Sequence, residues 1–404
     1  MSKVIVIGGG ASGLVSAITS ARLGHDVTIL EHMNACGKKI LITGNGKCNY
    51  WNSDQSIEHY NSNNKEAISF ILDNARDKVL DFFDSIGIVP KIKNGYYYPY
   101  SNLAASINYA LITEALNLGV NIIYDINIAK IEKEKDRFRV TTSTNTYLSD
   151  KLILATGSIA CSKTGSDGSG YDLAKRLGHT ITKIYPSLVQ LKMNEPYLKK
   201  WSGIRTDVKV ALYINNKFIK EECGEIQLTD YGVSGICVFN VSRFVCKAIS
   251  ENKKVTLNIN FVPWYSGSNF VSFLEKQNKK LNNRTISNIL EGFLNYKLVD
   301  VILKKVNIKE NEIWNNLKES EKNLLADTIC SFKATIIGTN DFDKAQVCRG
   351  GIPLDEINNK TMESKIVKGL YIVGEILDVD GDCGGYNLGF AWMSGILAGE
   401  NLNR

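Results

Sequence analysis

Gly8, Gly10 and Gly13 follow the apolar run Val4-Ile5-Val6-Ile7 with the spacing GxGxxG, and Glu31 closes the next apolar stretch, Asp26–Leu30. A strand, a glycine turn and a helix in that order place backbone N–H groups and a helix N-terminus against a pyrophosphate. In this reading Gly8 permits the tight turn, Gly10 lets the backbone approach the phosphates, and Gly13 lets the helix pack on the strand. Glu31 stands about 20 residues on, where a carboxylate accepts hydrogen bonds from ribose hydroxyls and repels a 2′-phosphate. Some 350 residues away, Gly374-Glu375 ends another strand, and Gly384-Gly385-Tyr386-Asn387-Leu388 opens an apolar helix expected over 388–397. Gly-Gly is a poor helix cap, so N–H groups there are expected to face a ligand, namely the flavin N1/O2 edge. The two ends together point to one bound FAD.

Two elements between them carry further candidates. The loop 37–49 (GKKILITGNGKCN) holds Lys38 and Lys39, whose charge suits a pyrophosphate, and the run Gly44, Asn45, Gly46, Lys47, Cys48, Asn49, whose glycines allow backbone contact with a flat ligand. The buried strand 151–157 ends in Ala155-Thr156-Gly157. These three, with Ser12 in the first helical turn, are counted among the cofactor contacts.

No catalytic group stands out. Cys48 beside Lys47 is a weak candidate for a redox thiol, and Tyr386 for a proton donor; a packing thiol and a wall residue explain them as well. Asp378, Asp380 and Asp382 alternate as metal ligands do, but a tight turn accounts for the alternation and no metal is expected. His25 and His32 are expected at the surface, and His179 at a helix end.

The elements that must position these groups are legible from periodicity. Residues 3–31 read as a βαβ unit, with its helix from 11 to about 23. Ile68, Ile71, Leu72, Ala75, Val79, Phe82 and Phe83 mark a helix over 64–88. Short alternating strands fill 120–149. From about Tyr185 the pattern changes: strands at 207–214, 217–222, 224–229 and 255–261 with a helix near 236–249, then helices over 269–329, with Ile286, Ile289, Leu290, Phe293 and Leu294 on one face, then strand character at 333–338. The predicted fold is α/β, a Rossmann-like FAD-binding domain in two parts (1–185 and 343–404), interrupted by a β-rich insert (186–262, with a return strand at 333–342) and a helical insert (263–332).

Composition bounds the remaining classes. The chain has 404 residues, 44% of them apolar, and a net charge of +6 from 48 basic and 42 acidic side chains. That excess is small and dispersed, so neither nucleic acid nor an anionic membrane is an expected partner. The charge-dense run 132–139 reads as a solvated turn. Nine cysteines without a CxxC pair read as reduced thiols. No apolar stretch is long enough to span a bilayer, and the start lacks a signal-peptide pattern. A cytoplasmic location is expected; oligomeric state is not legible.

The motifs GGGASGL (8–14), GKKILITGNGKCN (37–49), LATGSIACSKTGSDGSGYDLAKRLGH (154–179), TDYGVSG (229–235), KTMES (360–364) and LDVDGDCGGYNL (377–388) resemble, in order and over nearly the whole chain, the BaiN/RdsA-type NAD(P)/FAD-dependent oxidoreductases, which include aminoacetone oxidase-like and YhiN-like proteins. The resemblance implies a discontinuous FAD domain with a β-barrel-like and a helical subdomain inserted. It carries FAD contacts to Gly13, Glu31, Lys38, Lys39, Gly44–Asn49 and Gly385–Leu388, and a backbone contact from Ile128 to adenine. Lys39 and Lys47 stand where the family often has arginine, and 159–161 (IAC) departs from its usual sequence. Three activities follow as expectations: reduction by NAD(P)H through the flavin, with activated C=C bonds on a small molecule as one target; amine oxidation yielding H2O2; and flavin-dependent RNA modification or redox sensing. No second nucleotide fingerprint is visible, so NAD(P)H would bind transiently. The inserts are expected to cap the flavin and select the substrate.

Overall fold

A computed structural model describes residues 1–282 and 284–402. The chain forms two compact units, Met1–Pro186 with Phe342–Arg404, and Ser187–Asp341.

The first unit is built on a five-stranded parallel sheet in the order Leu370–Ile372, Lys151–Leu154, Lys3–Ile7, Asp26–Leu30, Asn121–Ile123. Its central strands are continuous apolar runs because both faces are covered. The sheet therefore takes strands from both ends of the chain: Leu152 pairs with Leu370 while Val4 pairs with Lys151. A three-stranded antiparallel meander, Ile128–Glu134, Arg137–Thr142 and Thr146–Ser149, follows.

Helix Ala11–Arg22 lies against helix Tyr386–Glu400. A Cβ on Gly395 would stand 2.7 Å from the Ser12 carbonyl oxygen, and one on Gly399 2.6 Å from the Thr19 Cβ. The contact thus advances in the same direction along both helices, so they run parallel, backbone against backbone. Helix Lys65–Ser85, capped by the Asn64 side chain on the Ala67 N–H, buries all seven residues of its apolar stripe. Its Phe83 packs edge-on against Trp392 of the last helix, with ring centroids 5.1 Å apart.

The second unit holds a closed antiparallel barrel in the order Leu191–Met193, Gly232–Ser234, Lys217–Leu228, Arg205–Ile214, Val255–Asn260, Phe332–Thr339. The strands expected at 217–222 and 224–229 are one strand: Gly224 continues the ladder opposite Val208 instead of ending it. Asn215 and Asn216, both left-handed, make the two-residue hairpin turn. Helices Gly267–Lys280, Ile286–Leu290, Tyr296–Lys305 and Glu319–Cys330 complete the unit. The helix carrying the face expected through Leu294 ends at Leu290, but Leu294 stays buried in the same core, and Phe293, 37% exposed, sets its ring edge-on to Phe270 and Phe273. Asn295 starts the next helix by capping Lys297.

Candidate cofactor site

The glycines of the first turn divide by what constrains them. Gly8 has φ +99°, and a Cβ there would lie 2.6 Å from the Ala155 carbonyl oxygen. A Cβ on Gly13 would lie 1.9 Å from the Gly8 carbonyl oxygen. Both are fixed by the chain's own packing. Gly10 is not: its φ is −80° and a Cβ would meet nothing within 4 Å. Gly10 also precedes helix Ala11–Arg22, and no side chain caps the first-turn N–H groups. A helix start of this kind, with room beside it at Gly10, suits an anion.

Glu31 is buried, and its carboxylate holds this loop in shape. Oε2 accepts from the Gly9 N–H and Oε1 from the Met33 N–H, each at 2.7 Å. Each oxygen keeps a second lone pair, which leaves acceptor capacity for ribose hydroxyls. The Glu31 carbonyl accepts from the Ile126 N–H, so the chain carrying Ile128 starts beside it. Ala155 donates from its N–H to the Ile7 carbonyl, which sets Ala155-Thr156-Gly157 against the glycine turn. The Thr156 hydroxyl is buried without a partner.

The loop after Gly37 is tightly wound. Gly44, Asn45, Gly46 and Cys48 all have positive φ. Gly44, Asn45 and Lys47 are exposed, Cys48 is fully buried, and the Asn49 Oδ1 is buried without a partner. Lys39 is engaged: its Nζ donates to Glu375 Oε2 at 2.7 Å and to the Ala160 carbonyl at 3.2 Å. Glu375 Oε1 accepts from the Ser158 hydroxyl at 2.7 Å and the Cys348 N–H at 3.2 Å. One carboxylate thus ties together four segments of the sequence. Among the described residues the side chains of Lys38 and Lys47 make no ion pair or hydrogen bond.

At the other end of the chain, Gly374 has φ +76° and lies against Ser12, where a Cβ would be 2.3 Å from the Ser12 hydroxyl. Its N–H donates to the Ser394 hydroxyl. Helix Tyr386–Glu400 begins after Gly385, again without a side-chain cap. Gly385 is left-handed and too close to the Trp51 backbone to carry a side chain. The Asn387 side chain turns back on its own loop, accepting from the Gly381 N–H at 2.8 Å and donating to the Gly381 carbonyl at 2.9 Å. It shapes the turn, while Leu388 packs against the core. From the Gly395 and Gly399 contacts, the last helix begins about six residues, or roughly 9 Å, behind the start of the first. Two uncapped N-termini, parallel and offset, suit two groups of one elongated dinucleotide, its pyrophosphate and its flavin.

The reactive candidates are quiet. Burial pushes the Cys48 thiol up to about 12 and, with Asp382 adding, the Cys383 thiol up to about 11. Neither is in the surroundings of a reactive thiolate. Tyr386 is buried, and burial raises its phenol above the ordinary range. Burial also raises the carboxyl of Asp378, which accepts from the Thr182 hydroxyl. No three His, Cys, Asp or Glu side chains among the described residues converge as metal ligands.

One histidine departs from expectation. His25 is buried rather than at the surface; its Nδ1 accepts from the Ser2 N–H, and burial lowers its pKa. His179 packs at a helix end as expected: it follows helix Ser169–Arg176, its N–H donates to the Ala174 carbonyl, and its buried ring lies between Glu356 at 2.7 Å and the Ser364 hydroxyl at 2.9 Å. The sequence reading passed over Lys39–Glu375 pairing and His59; the first spans 336 positions and no local pattern signals it.

The fold and the paired helix starts define a dinucleotide-binding oxidoreductase of the FAD-dependent class. The chain belongs to the HI0933-like protein Rossmann domain family, whose model matches residues 2–401. It is 38% identical to the 3-dehydro-bile acid delta(4,6)-reductase of Clostridium scindens over 99% of this chain and 98% of that one. It is 29% identical to the ribosomal RNA dihydrouridine synthase of Haemophilus influenzae over 100% and 99%. Among solved structures, the 3-ketosteroid delta1-dehydrogenase of Sterolibacterium denitrificans shares the fold, with a TM-score of 0.53, 12% identity and 99% coverage of each chain. Among the described residues no helix is long and apolar enough to cross a membrane.

Proposed function

We propose that this protein is an FAD-dependent reductase that uses NAD(P)H to saturate a carbon–carbon double bond conjugated to a carbonyl. The observation that carries the cofactor assignment is the pair of parallel, uncapped helix N-termini brought together from opposite ends of the chain. The reaction class is supported by the names of the two relatives. A 3-dehydro-delta(4,6) bile acid carries a conjugated dienone, and dihydrouridine is uridine saturated at a bond conjugated to a carbonyl. Their shared chemistry is addition of hydride and a proton to an activated C=C bond.

When bound, FAD supplies hydride transfer at its N5. The chain's residues would bind and orient it. The N–H groups after Gly10 and Lys38 would hold the pyrophosphate, and Glu31 would accept from the ribose. The N–H groups of Tyr386, Asn387 and Leu388 would supply partial positive charge that favours the reduced, anionic flavin. The Tyr386 ring would wall the site. The 38% relative favours a small, steroid-sized substrate over RNA.

The test is an anaerobic titration of the flavin-loaded protein. NADH or NADPH is expected to bleach the flavin absorbance, and a steroidal dienone to restore it. Bleaching by aminoacetone but not by either nicotinamide would replace this reading with amine oxidation. Reoxidation by uridine-containing RNA but not by the enone would assign the RNA substrate.

A further inference from the structure

The turn from which the last helix starts is held by one neighbouring segment. Asp380 pairs with Asn61 and Gly381 with Tyr60 in a short antiparallel ladder, and the Asp382 N–H donates to the His59 carbonyl at 2.9 Å. The His59 side chain completes the contact. Its Nδ1 lies 3.2 Å from Asp382 Oδ2 and its Nε2 3.2 Å from Asp54 Oδ2. Its ring stacks on Tyr386, the first residue of the helix, with centroids 4.4 Å apart and planes 17° from parallel.

The ring thus spans two carboxylates. Side-chain exposure falls from 61% at Asp54 through 29% at His59 to 9% at Asp382, so the bridge runs from the surface into the turn. The Ser56 backbone and hydroxyl, and then His59, hold the Asp54 carboxyl below its usual range. Other groups face the bridge. Lys65 donates to the Ile57 and Tyr60 carbonyls, the Tyr60 hydroxyl donates to Gln55, and Glu58 and Asp380 flank it in sequence. The Cys383 thiol and the Tyr386 phenol stay neutral through burial.

We propose that His59 is a positioning residue: its ring, held between Asp382 and Asp54 and stacked on Tyr386, locks the turn 381–385 and so aims the N–H groups at the start of the last helix. This rests on the flavin reading above.

The test compares the FAD dissociation constant and the flavin midpoint potential of the wild type, His59→Gln and Asp54→Asn at one pH. His59→Gln is expected to bind FAD about tenfold more weakly, the loss of one charge-assisted hydrogen bond, and to lower the potential, because the helix-start N–H groups no longer favour the reduced flavin. Asp54→Asn is expected to move both in the same direction by less. Both variants matching the wild type in affinity and potential would overturn the proposal. Hydrogen exchange of amides 381–389 in cofactor-free protein separates the two readings. Faster exchange in His59→Gln than in the wild type supports the lock even where no flavin binds. Identical protection in the two proteins overturns it.

Discussion

The three glycines of the first turn look equivalent in sequence and are not equivalent in space. Gly13 has no room for a methyl group beside the Gly8 carbonyl, whereas Gly10 has nothing within 4 Å. Gly13→Ala should therefore destabilise the cofactor-free protein by overpacking, by about 1–3 kcal/mol. Gly10→Ala should leave that stability within about 0.5 kcal/mol and instead weaken FAD binding. Thermal unfolding of the two apo variants, beside their flavin affinities, checks the contrast. Glu31 was legible as the acid at the end of the second strand. Its bonds to the Gly9 and Met33 N–H groups were not, because they depend on loop conformation that the strand pattern does not encode. His25 misleads in the same way: its polar character suggests the surface, but the N-terminal strand covers it and the Ser2 N–H satisfies Nδ1.

Elements with strong periodicity were read well, and their joints were not. The apolar stripe of helix Lys65–Ser85 and the parallel strands follow directly from side-chain spacing. The single strand Lys217–Leu228 was divided at Gly224, because glycine is read as a break and here the ladder passes through it. The sequence offers Lys39 to the cofactor phosphate, and the fold gives its Nζ a partner the sequence does not signal, Glu375 Oε2 at 2.7 Å. That pair joins loop 37–49 to the turn after Val373, and Ser158 and Cys348 add the walls. Glu375→Gln keeps the shape but removes the charge that Lys39 and Ser158 address. It is expected to cost about 1–3 kcal/mol of stability, with the double variant Lys39→Met/Glu375→Gln recovering part of the loss. Urea unfolding of the three proteins in a double-mutant cycle measures this.

At the scale of the whole molecule, the chain leaves the first unit at about Pro186 and re-enters it at Phe342. Alternation and turn residues announce the barrel strands, but not that they close, since closure is a property of pairing between distant strands. What the sequence does carry over distance is the pair of strand–turn–helix units at its two ends, because each is a local signal. The central claim is that both halves grip the same FAD. Fluorescence titration of cofactor-free protein with FAD tests it most directly, on the wild type, Gly10→Ala and Gly385→Ala. The expected result is one FAD per chain for the wild type, with affinity falling at least tenfold in each variant. A folded wild type that takes up no flavin, or variants at either end that bind FAD as the wild type does, would contradict it.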